Sequence, residues 1–95
     1  GTTGYDYAAM RMPKGAAEQA RNAMATILAT LDEAGFAPGD IVRVQYTVTD
    51  AALVAEVAPV LAAAMKDALP AATMVVAGLI NPEMKIEIEV TAFRE

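Results

Sequence analysis

The 95-residue chain contains no cysteine, no histidine and no tryptophan. Without thiols there is no disulfide, no thiolate nucleophile and no cysteine-bound metal. Without imidazole the usual general base and the commonest metal ligand are also gone. Large apolar side chains are scarce. With two Phe and three Tyr, the hydrophobic share of 56% rests heavily on 22 alanines, each of which buries little area. A chain this short makes one domain, residues 1–95, with a core near the lower end of comfortable size, and an oligomer interface is expected to complete its burial. Cations are few: seven Lys and Arg stand against 12 Asp and Glu, for a net charge of −5. They are scattered rather than clustered, which argues against nucleic acid as a partner. No apolar run reaches the roughly 20 residues of a membrane span, and no signal-peptide pattern opens the chain. A cytoplasmic protein with no membrane partner is the expectation.

What is present is organised around the last strand. Ile86, Ile88, Val90 and Ala92 alternate with Lys85, Glu87, Glu89 and Thr91, the period-two pattern of a strand with two unlike faces. One face requires a core. The other carries two carboxylates and is where chemistry is to be sought.

The elements before it follow in order. Gly1 to Gly15 reads as irregular, punctuated by glycines and Pro13. Ala20, Met24, Ile27, Leu31 and Ala34 recur at helical spacing, and Gly35 fits the position just past a helix C-terminus. Pro38-Gly39-Asp40 turns the chain into a strand over 41–48, with Val42, Val44, Tyr46 and Val48 on one face and Ile41, Arg43, Gln45 and Thr47 on the other. Thr49-Asp50 caps a second helix running to about Leu69, which Pro59 is expected to kink or restart. Pro70 ends it. A third strand over 71–79 is apolar on both sides and is therefore expected to be buried on both. Asn81-Pro82-Glu83 turns into the final strand. The order α-β-α-β-β predicts an α+β fold with both helices on one face of a sheet. The uncovered face, with Val75 or Val76 beside Arg43, Glu87 and Glu89, suits a homo-oligomer.

Asp40-Ile41-Val42-Arg43-Val44, Thr47-Val48-Thr49-Asp50, Pro70-Ala71 and Lys85-Ile86-Glu87-Ile88-Glu89, taken together and in this order, resemble the Rid/YjgF family, some of whose members carry the name endoribonuclease L-PSP. The resemblance runs from Gly1 to Ala92. It implies a chorismate-mutase-like α+β domain, a homotrimer, and small-molecule clefts between subunits. Family chains usually begin earlier, with a β-hairpin, so the family's N-terminal strands are expected to be missing or truncated here. Characterised members hydrolyse enamine and imine intermediates to keto acids and ammonia. Their deaminase branch holds the substrate carboxylate with an arginine two residues after the proline of a Pro-Ala-Arg motif; here that position is Ala72. The branch's asparagine in the second helix falls on Ala58. Its strand glutamate matches Glu87, and its cleft-lining glycine matches Gly1.

The resemblance makes Glu87 the candidate catalytic residue, positioning water or binding a ligand amine. The plain alternative is a solvated strand glutamate paired with Arg43. Glu87 and Glu89 stand about 6.5–7 Å apart on one face, a spacing that acid/base pairs use but that any exposed strand also produces. Gly1, Tyr5, Tyr7, Ala72 and Met74 are the candidate ligand-binding positions around Glu87. The two phenols offer stacking and a hydrogen bond, or they simply pack the sheet edge. Read from composition alone, Met10, Met12, Met74 and Met84 are core or interface filler. Gly1 and Gly4 make no phosphate loop, since no lysine or helix follows at the required spacing. Two strand glutamates without a third ligand make no metal site. Neither metal nor cofactor is expected. Three function classes stay open: a hydrolase of an atypical imine or enamine, a non-catalytic metabolite binder, and a structural trimer.

Overall fold

The computed structural model describes residues 1–95. Its elements are β1 (Thr2–Thr3), α1 (Ala16–Glu33), β2 (Ile41–Val48), α2 (Val54–Ala64), β3 (Ala71–Val76) and β4 (Ile86–Ala92). The four strands form one mixed sheet in the order β1-β4-β2-β3. β4 is antiparallel to both β1 and β2, and β3 runs parallel to β2. This is the α+β arrangement that the strand and helix patterns predict. The strand at β1, inside the irregular lead, is an addition to that reading.

Two small residues and one distant acid decide where α1 begins and ends. Ala16, Ala20 and Ala23 are buried along its inner face with Met24 and Ile27, so the helix lies close against the sheet. Gly15, at the N-cap, has no side chain to offer. The cap comes instead from α2, where Glu56 Oε2 accepts from Ala17 N at 2.9 Å. A carboxylate there satisfies a free N–H and faces the positive end of the helix dipole. At the other end Phe36 N donates to Leu31 O at 2.8 Å and Gly35 N to Asp32 O at 3.1 Å. With Gly35 at φ +88° these two bonds form a Schellman motif.

The second helix departs from its expected course. Asp50 Oδ1 does accept from Ala52 N at 2.8 Å, but it caps a single 3₁₀ turn, Ala51–Leu53, from which α2 continues. Pro59 neither breaks nor restarts the helix; α2 passes through it and stops at Ala64, short of Leu69. Proline at this depth removes one backbone donor, and the helix carries that loss on its exposed side.

The core lies between the helices and one sheet face. Val44, Tyr46, Val48, Ile86 and Ile88 meet Met24, Ile27, Val57 and Leu61 there. The alternation along β2 differs from the sequence reading at its start. Ile41 is buried and Val42 is 46% exposed. The ladder between β2 and β4 shifts register between Ile41 and Arg43, leaving Val42 as an extra, bulged residue. One inserted residue reverses which neighbour faces inward.

The third strand is also not covered as expected. β3 is the sheet edge and is exposed on both faces for most of its length. Leu69, Met74, Val76 and Ile80 on and beside it are exposed large apolar residues. No helix of the chain is long and apolar enough to cross a membrane.

Candidate functional site

Strand pairing assigns every candidate on the sheet to a face. Glu87 lies opposite Thr3 on β1 and Thr47 on β2, and Thr47 in turn lies opposite Val75 on β3. Glu89, Gln45 and Thr73 form the next row, and Thr91, Arg43 and Ala71 the one after. The helix-free face is thus mainly polar: four threonines, two glutamates, a glutamine and an arginine, with Val75 as its large aliphatic residue. Val76 pairs with Val48 and belongs to the opposite, core-side face.

Glu87 is partly buried on this face. Gly1 covers it so closely that a Cβ at residue 1 would stand 2.5 Å from Glu87 Cδ and Oε1. The two residues that the sequence reading puts on one site are therefore adjacent, and residue 1 has room only for glycine without displacing the carboxylate. Arg43 is not the partner of Glu87. It sits opposite Thr91, four residues from Thr47 along β2, or about 13 Å by strand rise.

Ala72 and Met74 are placed differently. They pair with Val44 and Tyr46, both core residues, so their side chains leave the sheet on the helix side. Within one chain they are on the far side of the sheet from Glu87. A single cleft can contain Glu87 and Ala72 only if two subunits contribute to it.

Tyr5 and Tyr7 stand in the lead segment with ring centroids 4.8 Å apart at 70°, an edge-to-face pair. They line a cavity of about 480 Å³ between the lead and the β3–β4 connection, which Thr3 also borders. Thr3 thus touches both settings, as a wall of the tyrosine cavity and as the cross-strand neighbour of Glu87.

The sequence reading missed the residue that fixes this geometry. Gln19, fully buried, donates through Nε2 to Pro13 O at 2.6 Å and Glu83 O at 2.9 Å, and its Oε1 accepts from Lys85 N at 2.8 Å. One side chain thereby ties α1 to the lead, to the β3–β4 connection and to the start of β4. Gly4 rests on the Gln19 backbone with no space for a Cβ. Asn22 Nδ2 donates to Gly4 O at 3.2 Å and holds the same segment one turn later. The signal was there: Gln19 is a polar residue set inside the stripe of Ala16, Ala20 and Ala23.

Tyr46 has the one clearly displaced ionisation: burial disfavours its phenolate and raises the phenol pKa above its ordinary value.

Comparison with known proteins agrees with this architecture. The family model described as endoribonuclease L-PSP matches residues 1–94. Comparison with curated proteins finds no match. Among solved structures, Rv2704 of Mycobacterium tuberculosis, described as a member of the YjgF/YER057c/UK114 family, is 35% identical over 99% of this chain and 75% of its own, with a TM-score of 0.85. YyfB of Yersinia pestis, from the Rid family, is 29% identical over 97% of this chain and 73% of its own, with a TM-score of 0.81. E. coli TdcF, solved with bound serine, shares the fold at 24% identity and a TM-score of 0.86, over 100% of this chain and 77% of its own.

Proposed function

Since the chain belongs to the endoribonuclease L-PSP family, also called YjgF or Rid, we propose that it binds a small metabolite at Glu87 and hydrolyses an imine or enamine there. The observation that carries this reading is the pairing of Glu87 with Gly1. A partly buried carboxylate lies under a residue without a side chain, with Thr3 and Thr47 as its cross-strand neighbours, on the face that no helix covers. Such a carboxylate can accept a hydrogen bond from water and direct its oxygen at an imine carbon. Attack forms a C–O bond and breaks the C=N π bond, with a proton passing to nitrogen. The carbinolamine then collapses to a carbonyl and releases ammonia or an amine.

The substrate is a neutral or amine-bearing molecule rather than a 2-imino acid. Ala72 has no donor where the deaminase branch carries arginine. A carboxylate left without its bidentate partner loses roughly 2–5 kcal/mol of binding. The same absence favours a second reading, in which the site binds a metabolite without turning it over. Serine bound to TdcF, a protein of the same fold, is in keeping with a small ligand in either case.

The working unit is a cytoplasmic homotrimer. Its support is the exposed, apolar, unpaired edge at β3, where Leu69, Met74, Val76 and Ile80 stand open in the single chain. An intersubunit cleft also reconciles the positions of Glu87 and Ala72. The test is hydrolysis of a panel of imines generated enzymatically in a coupled assay, with and without a carboxylate group, by the protein and its Glu87→Gln variant. Glu87-dependent turnover of carboxylate-free imines is expected. Turnover unaffected by Glu87→Gln would remove Glu87 from the chemistry. If nothing in the panel is turned over, the metabolite-binding reading stands in place of the hydrolase.

A further inference from the structure

The cavity bordered by the tyrosine pair is not lined by Glu87, Ala72 or Met74, and its walls carry a chemistry of their own. Its volume of about 480 Å³ lies within the range of roughly 300–1,000 Å³ typical of small-molecule sites. Tyr5, Tyr7 and Met12 provide an apolar wall, while Arg11, Asn81 and Glu83 bring one cation, one amide and one carboxylate to the same space.

The backbone that carries these polar groups is held in place, and each side chain keeps polar atoms free. Asp6 and Arg11 exchange backbone hydrogen bonds of 2.8 and 3.1 Å, and Asp6 Oδ1 accepts from Ala9 N at 3.0 Å, so the loop presenting Arg11 is closed on itself. Opposite, Gln19 holds the Glu83 carbonyl, and Asn81 Oδ1 accepts from Glu83 N at 2.8 Å. Asn81 therefore keeps its Nδ2 donors available. The arginine side chain that hydrogen-bonds within the chain is that of Arg94, to Gly35 O. The Arg11 guanidinium is committed to nothing.

We propose that this cavity is a binding site for an α-amino acid with a large apolar or aromatic side chain. A guanidinium fork matches a carboxylate in two parallel hydrogen bonds. Glu83 supplies the opposite charge for the ammonium group and disfavours dianions such as phosphate esters. The edge-to-face tyrosines leave ring surface for a third aromatic group, and the thioether of Met12 adapts to its shape. The site stands on different residues from Glu87 and does not depend on the hydrolase reading.

The experiment is amide chemical-shift mapping of the 95-residue protein, with L-phenylalanine as probe and L-serine, phenylacetate and phenethylamine as comparisons. Saturable shifts are expected at residues 3–12 and 81–84, with L-phenylalanine bound most tightly. Arg11→Ala should weaken L-phenylalanine at least tenfold and Arg11→Lys less. Arg11 is exposed, so both variants are expected to fold, and unchanged melting curves check this. Glu83→Gln should weaken L-phenylalanine but not phenylacetate. Absence of saturable shifts, or an Arg11→Ala affinity equal to that of the parent, overturns the proposal. Glu87→Gln should leave binding unchanged. If it abolishes binding instead, the ligand sits on the sheet face, and this site fails while the reading of Glu87 gains support.

Discussion

Glu87 and Ala72 leave the sheet on opposite sides: Glu87 pairs with Thr47 on the open face, and Ala72 pairs with Val44 on the core face. They also stand on non-adjacent strands, with β2 between β4 and β3, and three residues apart along the sheet. Only a second subunit could bring them into one cleft.

The first prediction concerns substrate choice. Hydrolysis of 2-iminopropionate by the parent protein should be slow, because the missing charge-assisted pair is equivalent to about 30-fold to several thousand-fold in binding. Ala72→Arg should raise that rate, and Ala72→Arg combined with Glu87→Gln should not. The coupled imine-decay assay measures both. Parent activity equal to that of an arginine-bearing relative would show that another group holds the carboxylate.

Assembly itself is the second. Light scattering should give three times the chain mass at micromolar concentration. Val76→Lys at the exposed β3 edge should shift the mass toward the single chain, since a buried lysine at an interface is costly. A parent protein that is monomeric at that concentration would rule out the trimer.

Gln19 supports the third. Gln19→Leu keeps the volume but leaves Pro13 O, Glu83 O and Lys85 N without their partner. An unsatisfied group costs about 1–3 kcal/mol where it is buried, as at Pro13 O, and less at the part-buried bonds to Glu83 O and Lys85 N. A loss of roughly 2–5 kcal/mol in urea unfolding is expected, with the largest rise in amide exchange at residues 13 and 83–85. A loss below about 1 kcal/mol would mean that water replaces the side chain at little cost.

The fourth tests the bulge. Ile88, fully buried, should lose about 2–4 kcal/mol on truncation to Ala, because a small core collapses poorly around the cavity. Val42→Ala should cost less than about 0.5 kcal/mol, although simple alternation places Val42 inside. Equal losses at the two positions would contradict the register.

A pH dependence gives the fifth. The Tyr46 phenol pKa is raised in the folded chain, so the unfolded chain releases this proton first as pH rises. Below the ordinary tyrosine value of about 10 the phenol is protonated in both states and costs no stability. Above it stability falls, until the folded phenol ionises too. Tyr46→Phe should flatten this alkaline decline in a series of denaturant midpoints, while leaving the neutral range comparatively flat.

Much of the architecture was legible because single-residue physics decides it. The stripe through Met24 and Ile27, the glycine after α1 and the alternation of β4 each follow from local spacing, and each is found. What stayed illegible depends on partners distant in sequence. The inward turn of Ile41 comes from a bulge against β4, and no propensity along β2 encodes it. β3 reads as buried because it is apolar, yet its position at the sheet edge leaves it open. At the site, the adjacency of Gly1 and Glu87 follows from β1 pairing with β4, which no local pattern in the lead encodes. The separation of Ala72 from Glu87 required the strand register, and Gln19 was passed over because a pattern of apolar residues gives polar ones no weight.

The hydrogen bond between Glu56 and Ala17 makes one end of α1 dependent on another helix. The first turn of α1 is capped by a group 39 residues later in the chain, so that cap exists only where α2 is docked. A peptide spanning α1 alone lacks that acceptor and frays from its N-terminus. In the folded chain, local opening of α2 therefore releases the first turn of α1 as well.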